Sequence, residues 1–253
     1  ILAIGGIGDR RNLDRIKEMT TRAIILRKQP TNEYDQWVTC YTEEFGKLKV
    51  VAKSILKPSS IQALHLDIFN LVEFDLVNGR GMPIVTGAQV TNSHAGVKSS
   101  LAKTTVAYFF AEAVDKMVLE NEKDERLWHL LSSLLGELNR INTTNPMSLL
   151  RQRQTELLEV LGYLPEVDLC RICDNRMDAR TFGAFNHVAG GVICKKCFLS
   201  GHGGILISSD EFALLANRSS KPNFSSRRSI LDGIFEYISG NKFYSLDLLN
   251  MVK

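Results

Sequence analysis

No apolar run among the 253 residues reaches the length of a membrane span, and no secretory signal pattern opens the chain. His-x-Glu and His-Glu-x-x-His are both missing, so an open zinc site with a general acid or base beside it has no signature here. Gly5-Gly6-Ile7-Gly8 lacks a third glycine in register and no Gly-Lys-Ser/Thr follows it, which argues against a phosphate loop. Cysteine is scarce: of five, only Cys40 lies outside a single window, in the apolar–polar alternation of a half-buried strand. These absences lead to the expectation of a cytoplasmic protein that is not an enzyme. An apolar fraction of 44 % with 23 % charged residues is ordinary for a globular chain. A net charge of +3 tolerates nucleic acid without demanding it.

The other four cysteines form two Cys-x-x-Cys pairs, Cys170/Cys173 and Cys194/Cys197. Two intervening residues let one tight turn aim both sulfurs at one ion, and two such knuckles complete a tetrahedron of thiolates suited to structural Zn²⁺. A redox dithiol needs one pair rather than two, and a disulfide pairing needs an oxidising compartment that nothing else here suggests. His187 and His202 flank the site and are able in principle to replace a cysteine, but they read as ordinary surface residues of a loop. Four protein sulfurs leave no coordination position for an activated water, so the expected ion is a staple. Five bases in the window (Arg171, Arg176, Arg180, Lys195 and Lys196) face two acids, Asp174 and Asp178. That excess offsets thiolate charge and is not in itself evidence for nucleic acid.

Residues 1–18 read as a leader, mobile or not native, with Met19 as the working start. From Thr20 the pattern is β. Runs at 22–26, 36–42, 47–52, 69–77 and 84–90 are separated by turn residues, the last two across Asn78-Gly79-Arg80-Gly81. Five strands without long intervening helices predict an OB-type barrel over 19–96, a fold whose open face commonly binds single strands. After Gly96 the period becomes 3.6. Val106, Phe109, Phe110, Ala113 and Met117 form one stripe, and Leu127, Leu130, Leu131, Leu134, Leu138 and Ile141 a second. Asn145-Pro146 predicts an N-cap with proline at the first helical position, and Gly162 the end of that helix. Further helices are expected at 209–216, 228–238 and 245–252. The fold class is therefore α+β: a barrel, then a helical domain over 97–253 into which a zinc lobe at about 168–204 is inserted.

The bases of the expected barrel are Arg22, Arg27, Lys28, Lys47, Lys49, Lys53, Lys57 and Arg80, barely more than its acids. Distribution matters more than the sum. Lys47, Lys49 and Lys53 alternate out of one strand and lead into Lys57, the one-sided stripe that a phosphate backbone needs. Tyr34, Trp37 and Tyr41 offer aromatic surface, with Trp37 expected in the core. A second basic stretch, Arg218, Lys221, Arg227 and Arg228, lies in an acid-free segment from 213 to 231.

Several phrases give this order of parts a family resemblance. They are Arg22-Ala23-Ile24-Ile25-Leu26-Arg27, Thr42-Glu43-Glu44-Phe45-Gly46-Lys47-Leu48 with Val51-Ala52-Lys53, and Asn78-Gly79-Arg80-Gly81. Leu161-Gly162-Tyr163-Leu164-Pro165 and Gly190-Gly191-Val192-Ile193-Cys194 then lead into the two knuckles. The chain resembles RecO, the bacterial recombination mediator family, from Thr20 to about Phe243. The resemblance implies an OB-fold before a zinc-carrying helical domain with no catalytic centre. It implies binding and annealing of single- and double-stranded DNA in the nucleoid, contact with single-strand-binding protein, and RecA loading together with RecR. The chain departs from the family in the loop 54–60, whose only base is Lys57. The competing reading is a protein–protein adaptor whose barrel takes a peptide.

Overall fold

Ala23, Ile24, Ile25 and Leu26 are buried without a break, more than a strand with one wet face would show. They lie in β1 (Glu18–Pro30), the first of the barrel's five strands. Ala23 and Ile25 point into the barrel core, while Ile24 and Leu26 alternate to the outer face, where a helix covers the strand. The computed structural model describes residues 18–79, 81–142, 146–178, 180–216 and 229–251. All but the last residue of the expected leader lies outside that range.

The strands β2 (Gln36–Thr42), β3 (Gly46–Ala52), β4 (Leu71–Val77) and β5 (Ile84–Asn92) close with β1 into a barrel of order β1-β2-β3-β5-β4. β1 does double duty, pairing with β4 over Glu18–Ile24 and with β2 over Ala23–Pro30, with a register shift between Ile25 and Arg27 that lets it bend. A short parallel pairing, Val51 with Ile84 and Ala52 with Val85, shuts the barrel and makes it the expected OB type. Val38, Cys40, Leu48, Val50, Val72, Phe74 and Leu76 fill the interior. The fourth strand starts at Leu71 rather than 69 because Phe69 turns at φ +65°. Two one-turn helices, α1 (Gln62–His65) and α2 (Ala95–Lys98), flank β4 and β5 in the chain.

α3 (Leu101–Met117) and α4 (Glu125–Arg140) follow. Val106, Phe109, Phe110 and Ala113 are buried along α3, and the leucines at 127, 130, 131, 134 and 138 along α4, as the 3.6 period predicts. Asp124 caps α4 by accepting from the Arg126 amide. By contacts the chain forms two compact units, 1–142 and 143–253, so α2, α3 and α4 group with the barrel.

The second unit begins with α5 (Met147–Val160), where Pro146 takes the cap itself instead of the first helical position. The expected cap, Asn145, lies outside the described residues. Gly162 does end the helix. At φ +76° it lets its own amide reach the Glu159 carbonyl at 3.0 Å and that of Tyr163 reach Leu158 at 2.7 Å, a Schellman closure. β6 (Phe182–Asn186) and β7 (Gly191–Cys194) then form a hairpin, with β8 (Ile205–Leu206) on its other edge. α6 (Lys195–Cys197) and a π-turn at Phe198–His202 lie between β7 and β8. α7 (Ser209–Leu215), α8 (Ile230–Ser239) and α9 (Tyr244–Met251) follow. Capping boxes Ser208–Glu211 and Ser229–Asp232 start α7 and α8. Arg151 on α5, fully buried, is held by Asp232 of α8, which also accepts from Gln154 Nε2 at 3.0 Å. A buried guanidinium needs such a carboxylate to offset its desolvation.

Candidate metal centre and nucleic-acid interface

The first knuckle is a tight turn: Asp174 N donates to the Cys170 carbonyl at 2.9 Å, and Cys170 N to that of Asn175 at 2.9 Å. The second stands where β7 runs into α6, with Cys197 N donating to Cys194 Sγ at 3.5 Å. The hairpin brings the two together, so that all four sulfurs lie within 4.8 Å of one another. Cys173 Sγ and Cys194 Sγ are 3.8 Å apart, the edge of a tetrahedron with metal–sulfur bonds of about 2.3 Å.

The thiol chemistry agrees with a dication. Burial pushes the Cys170 thiol up, but amide donors from Cys194, Ile172 and Cys173 outweigh it and hold it at about 6. Cys194 N lies 3.2 Å from Cys170 Sγ. Burial, reinforced by the three neighbouring thiols, pushes Cys197 up to about 12. Four sulfurs this close cannot all ionise unless positive charge is placed among them, and a divalent ion supplies it. The four cysteines can therefore hold a metal ion. Neither histidine joins them. The His187 ring packs on Phe185 and Tyr237, with centroids 5.0 and 4.9 Å away, and His202 ends the exposed π-turn.

On the barrel, proximity to acids sorts the expected bases. Arg22 is bidentate with Glu43, at 2.6 and 2.5 Å. That bond holds the Glu43 carboxyl below its usual range. Arg27 bonds Asp115 at 2.9 Å, and Lys28 bonds Asp67 at 3.0 Å. Lys98 takes the other oxygen of Asp67 at 2.9 Å. Burial raises that carboxyl, but the two ammonium groups prevail and bring it to about 2.

Lys47 corrects the expected stripe. It is 7 % exposed, and its Nζ donates to the carbonyls of Asp115 at 2.9 Å and Val114 at 3.4 Å. The last turn of α3 has carbonyls without intrahelical partners, and a cation there is favourable. Burial lowers the Lys47 ammonium, while Asp115, Glu120 and Glu122 draw it back up. Tyr41 is likewise no stacking surface. It is fully buried, its hydroxyl donating to the Asp124 carbonyl at 3.1 Å and accepting from the Asp124 amide at 3.0 Å.

Among the described residues, Lys49, Lys53 and Lys57 make no ion pair, and two of them approach aromatic rings. Trp37, expected in the core, is instead half-buried on the outward face of β2, where Lys49 Nζ sits 3.8 Å from its ring centroid. Lys57 Nζ lies 5.3 Å from the Tyr34 ring. Asp35 fastens the β1–β2 turn to the loop after β3 by accepting from Ser54 N at 2.7 Å and Asn32 Nδ2 at 3.0 Å. The Ser54 amide first, then Asn32, with Lys53 and Lys57 assisting, keeps its carboxyl below the usual range. Arg80, Arg218, Lys221, Arg227 and Arg228 lie outside the described residues. Asp35 and Tyr34 are the members that charge counting passes over; Asn32-x-x-Asp35, a turn pattern, was the available signal.

No helix among the described residues is long and apolar enough to cross a membrane. A family model described as Recombination protein O N terminal matches residues 16–94, and one described as Recombination protein O C terminal matches residues 98–238. A DNA repair protein RecO of Dehalococcoides mccartyi is 33 % identical over 71 % of this chain and 70 % of its own length. One from a Roseiflexus species is 32 % identical over 80 % of this chain and 70 % of its own. One from Syntrophomonas wolfei is 28 % identical over 78 % and 77 %.

Proposed function

The chain belongs to the RecO family of DNA repair proteins, and from that premise we propose that it is a non-enzymatic, DNA-binding mediator of recombinational repair. In this reading the barrel, 19–96, holds single- or double-stranded DNA by its backbone and leaves the bases free to anneal. RecR, single-strand-binding protein and, through them, RecA are its partners at the nucleoid. The second unit, 143–253, is kept folded by structural Zn²⁺ on Cys170, Cys173, Cys194 and Cys197, a closed ligand set that leaves the ion no open position for catalysis.

One observation carries the proposal: Lys49 lies over Trp37, Lys57 near Tyr34, and Lys53 is exposed beside Asp35, while Arg22, Arg27 and Lys28 are paired with carboxylates and Lys47 is buried. Unpaired ammonium groups give up counterions to a phosphate backbone at least cost, so these three lysines lead the interface. Arg22, Arg27 and Lys28 contribute by exchanging partners, and Arg80, Arg227 and Arg228 are further DNA-binding candidates by their charge in the sequence. The test is a titration of the whole chain with a single-stranded oligonucleotide across a range of salt concentrations. Replacing Lys49, Lys53 and Lys57 by alanine together should flatten the slope of log affinity against log salt by about 2. Affinity that ignores salt, or no affinity for any oligonucleotide, sinks the proposal.

A further inference from the structure

We infer that Trp37 and Tyr34 are positioning residues for lysines rather than platforms for bases. The inference rests on the DNA-binding reading of the same patch and adds how that patch grips its ligand. On a single-strand-binding surface, exposed aromatic rings ordinarily stack with bases. Here one face of the indole already carries an ammonium. In the β2–β3 register Trp37 stands opposite Val51 and Lys49 opposite Thr39, so Trp37 and Lys49 are diagonal neighbours on the outward face. That diagonal brings Lys49 Nζ to 3.8 Å from the indole centroid, the distance at which a base would have to lie.

Lys57 and Tyr34 repeat the arrangement more loosely, at 5.3 Å, with Leu56 N donating to the Tyr34 carbonyl at 2.9 Å to hold the loop beside the ring. A lysine side chain free in water samples many rotamers. One resting on a ring is confined, and its ammonium meets a phosphate already in place. The bound nucleic acid is then gripped by phosphates alone, and neither the presence of a base nor its pairing changes the grip.

The experiment compares a thirty-residue oligo-dT with an abasic strand of the same length, using the full chain, its Trp37→Leu, Trp37→Phe and Lys49→Ala variants, and the Trp37→Leu/Lys49→Ala double variant. The abasic strand should bind within about twofold of oligo-dT, since counterion release depends on phosphates. Trp37→Leu and Lys49→Ala should each weaken binding by about threefold, the order of an exposed cation–π contact. Each should also flatten the salt dependence. The double variant should be no weaker than Lys49→Ala alone, and Trp37→Phe, which keeps a ring face, should retain most of the affinity. An abasic strand that binds tenfold or more weakly overturns the inference, as does a Trp37→Leu loss with an unchanged salt slope. Either would mean that a base stacks on the indole, and the DNA-binding reading would survive. If the unaltered chain binds neither strand, that reading falls and the inference with it.

Discussion

Lys47 Nζ donates to the carbonyl of Asp115 at 2.9 Å, joining the start of β3 to the last turn of α3. The joint is reinforced from the backbone, where Asn121 N donates to the Lys47 carbonyl at 2.9 Å. Gly46 beside it permits the close approach: at φ +67° a Cβ there would sit 1.8 Å from the Glu122 carbonyl oxygen. A residue that reads as part of a basic stripe is thus a structural tie.

Lys47→Ala should therefore cost stability rather than DNA affinity. Removing a buried donor leaves the Asp115 carbonyl at the α3 terminus without its partner, at about 1–3 kcal/mol, while Val114 keeps the Val118 amide. Urea denaturation should show that loss, while the salt slope of oligonucleotide binding stays at the parent value. A slope reduced as far as that of Lys49→Ala would return Lys47 to the interface.

Removing the metal should act first on the second unit. Structural Zn²⁺ contributes on the order of 10 kcal/mol in small modules. A strong chelator, or Cys173→Ser, should lower the thermal midpoint of the part beyond residue 143 and release one equivalent of zinc per chain. Binding by the barrel should persist at temperatures where that part is still folded. A Cys173→Ser protein with full stability and no DNA binding would reverse the assigned roles.

Asp67 gives the barrel unit an acid-sensitive tie. Its folded pKa, about 2, lies below the ordinary carboxylate value, so the tie is fully present above that ordinary value. It is lost as pH falls from about 4 to about 2. Comparing the denaturation midpoints of the parent and Asp67→Asn should show a gap at neutral pH that closes through that window. A gap that persisted at the acid end would mean that the carboxylate charge is not what Lys28 and Lys98 engage.

Much of this was legible without coordinates. Two Cys-x-x-Cys pairs predict a four-sulfur cluster because the constraint is local on each side, and the hairpin between them has only to bring two turns together. The alternation at 36–42 and 47–52 places Val38, Cys40, Leu48 and Val50 on one face, and those side chains do fill the barrel. The leucine stripe of α4 is equally local. Helix starts were less legible: Pro146 and Ser229 took cap positions a residue or more from those expected, since either choice satisfies much the same amide groups.

Period two says that Trp37, Tyr41, Lys47 and Lys49 share the outward face of β2 and β3; it does not say what lies over that face. At the Tyr41–Lys47 end it is covered by the end of α3 and residues 120–124, so a phenol and an ammonium are buried and must bond carbonyls. At the Trp37–Lys49 end the face is open, so the indole stays half-exposed and a lysine rests on it. The sequence by itself determined the barrel, the helices and the four-cysteine cluster, because each rests on spacing along the chain, and its local phrases carry the family resemblance. Which lysines face water was decided only by the tertiary structure, since burial depends on a helix that begins some fifty residues later.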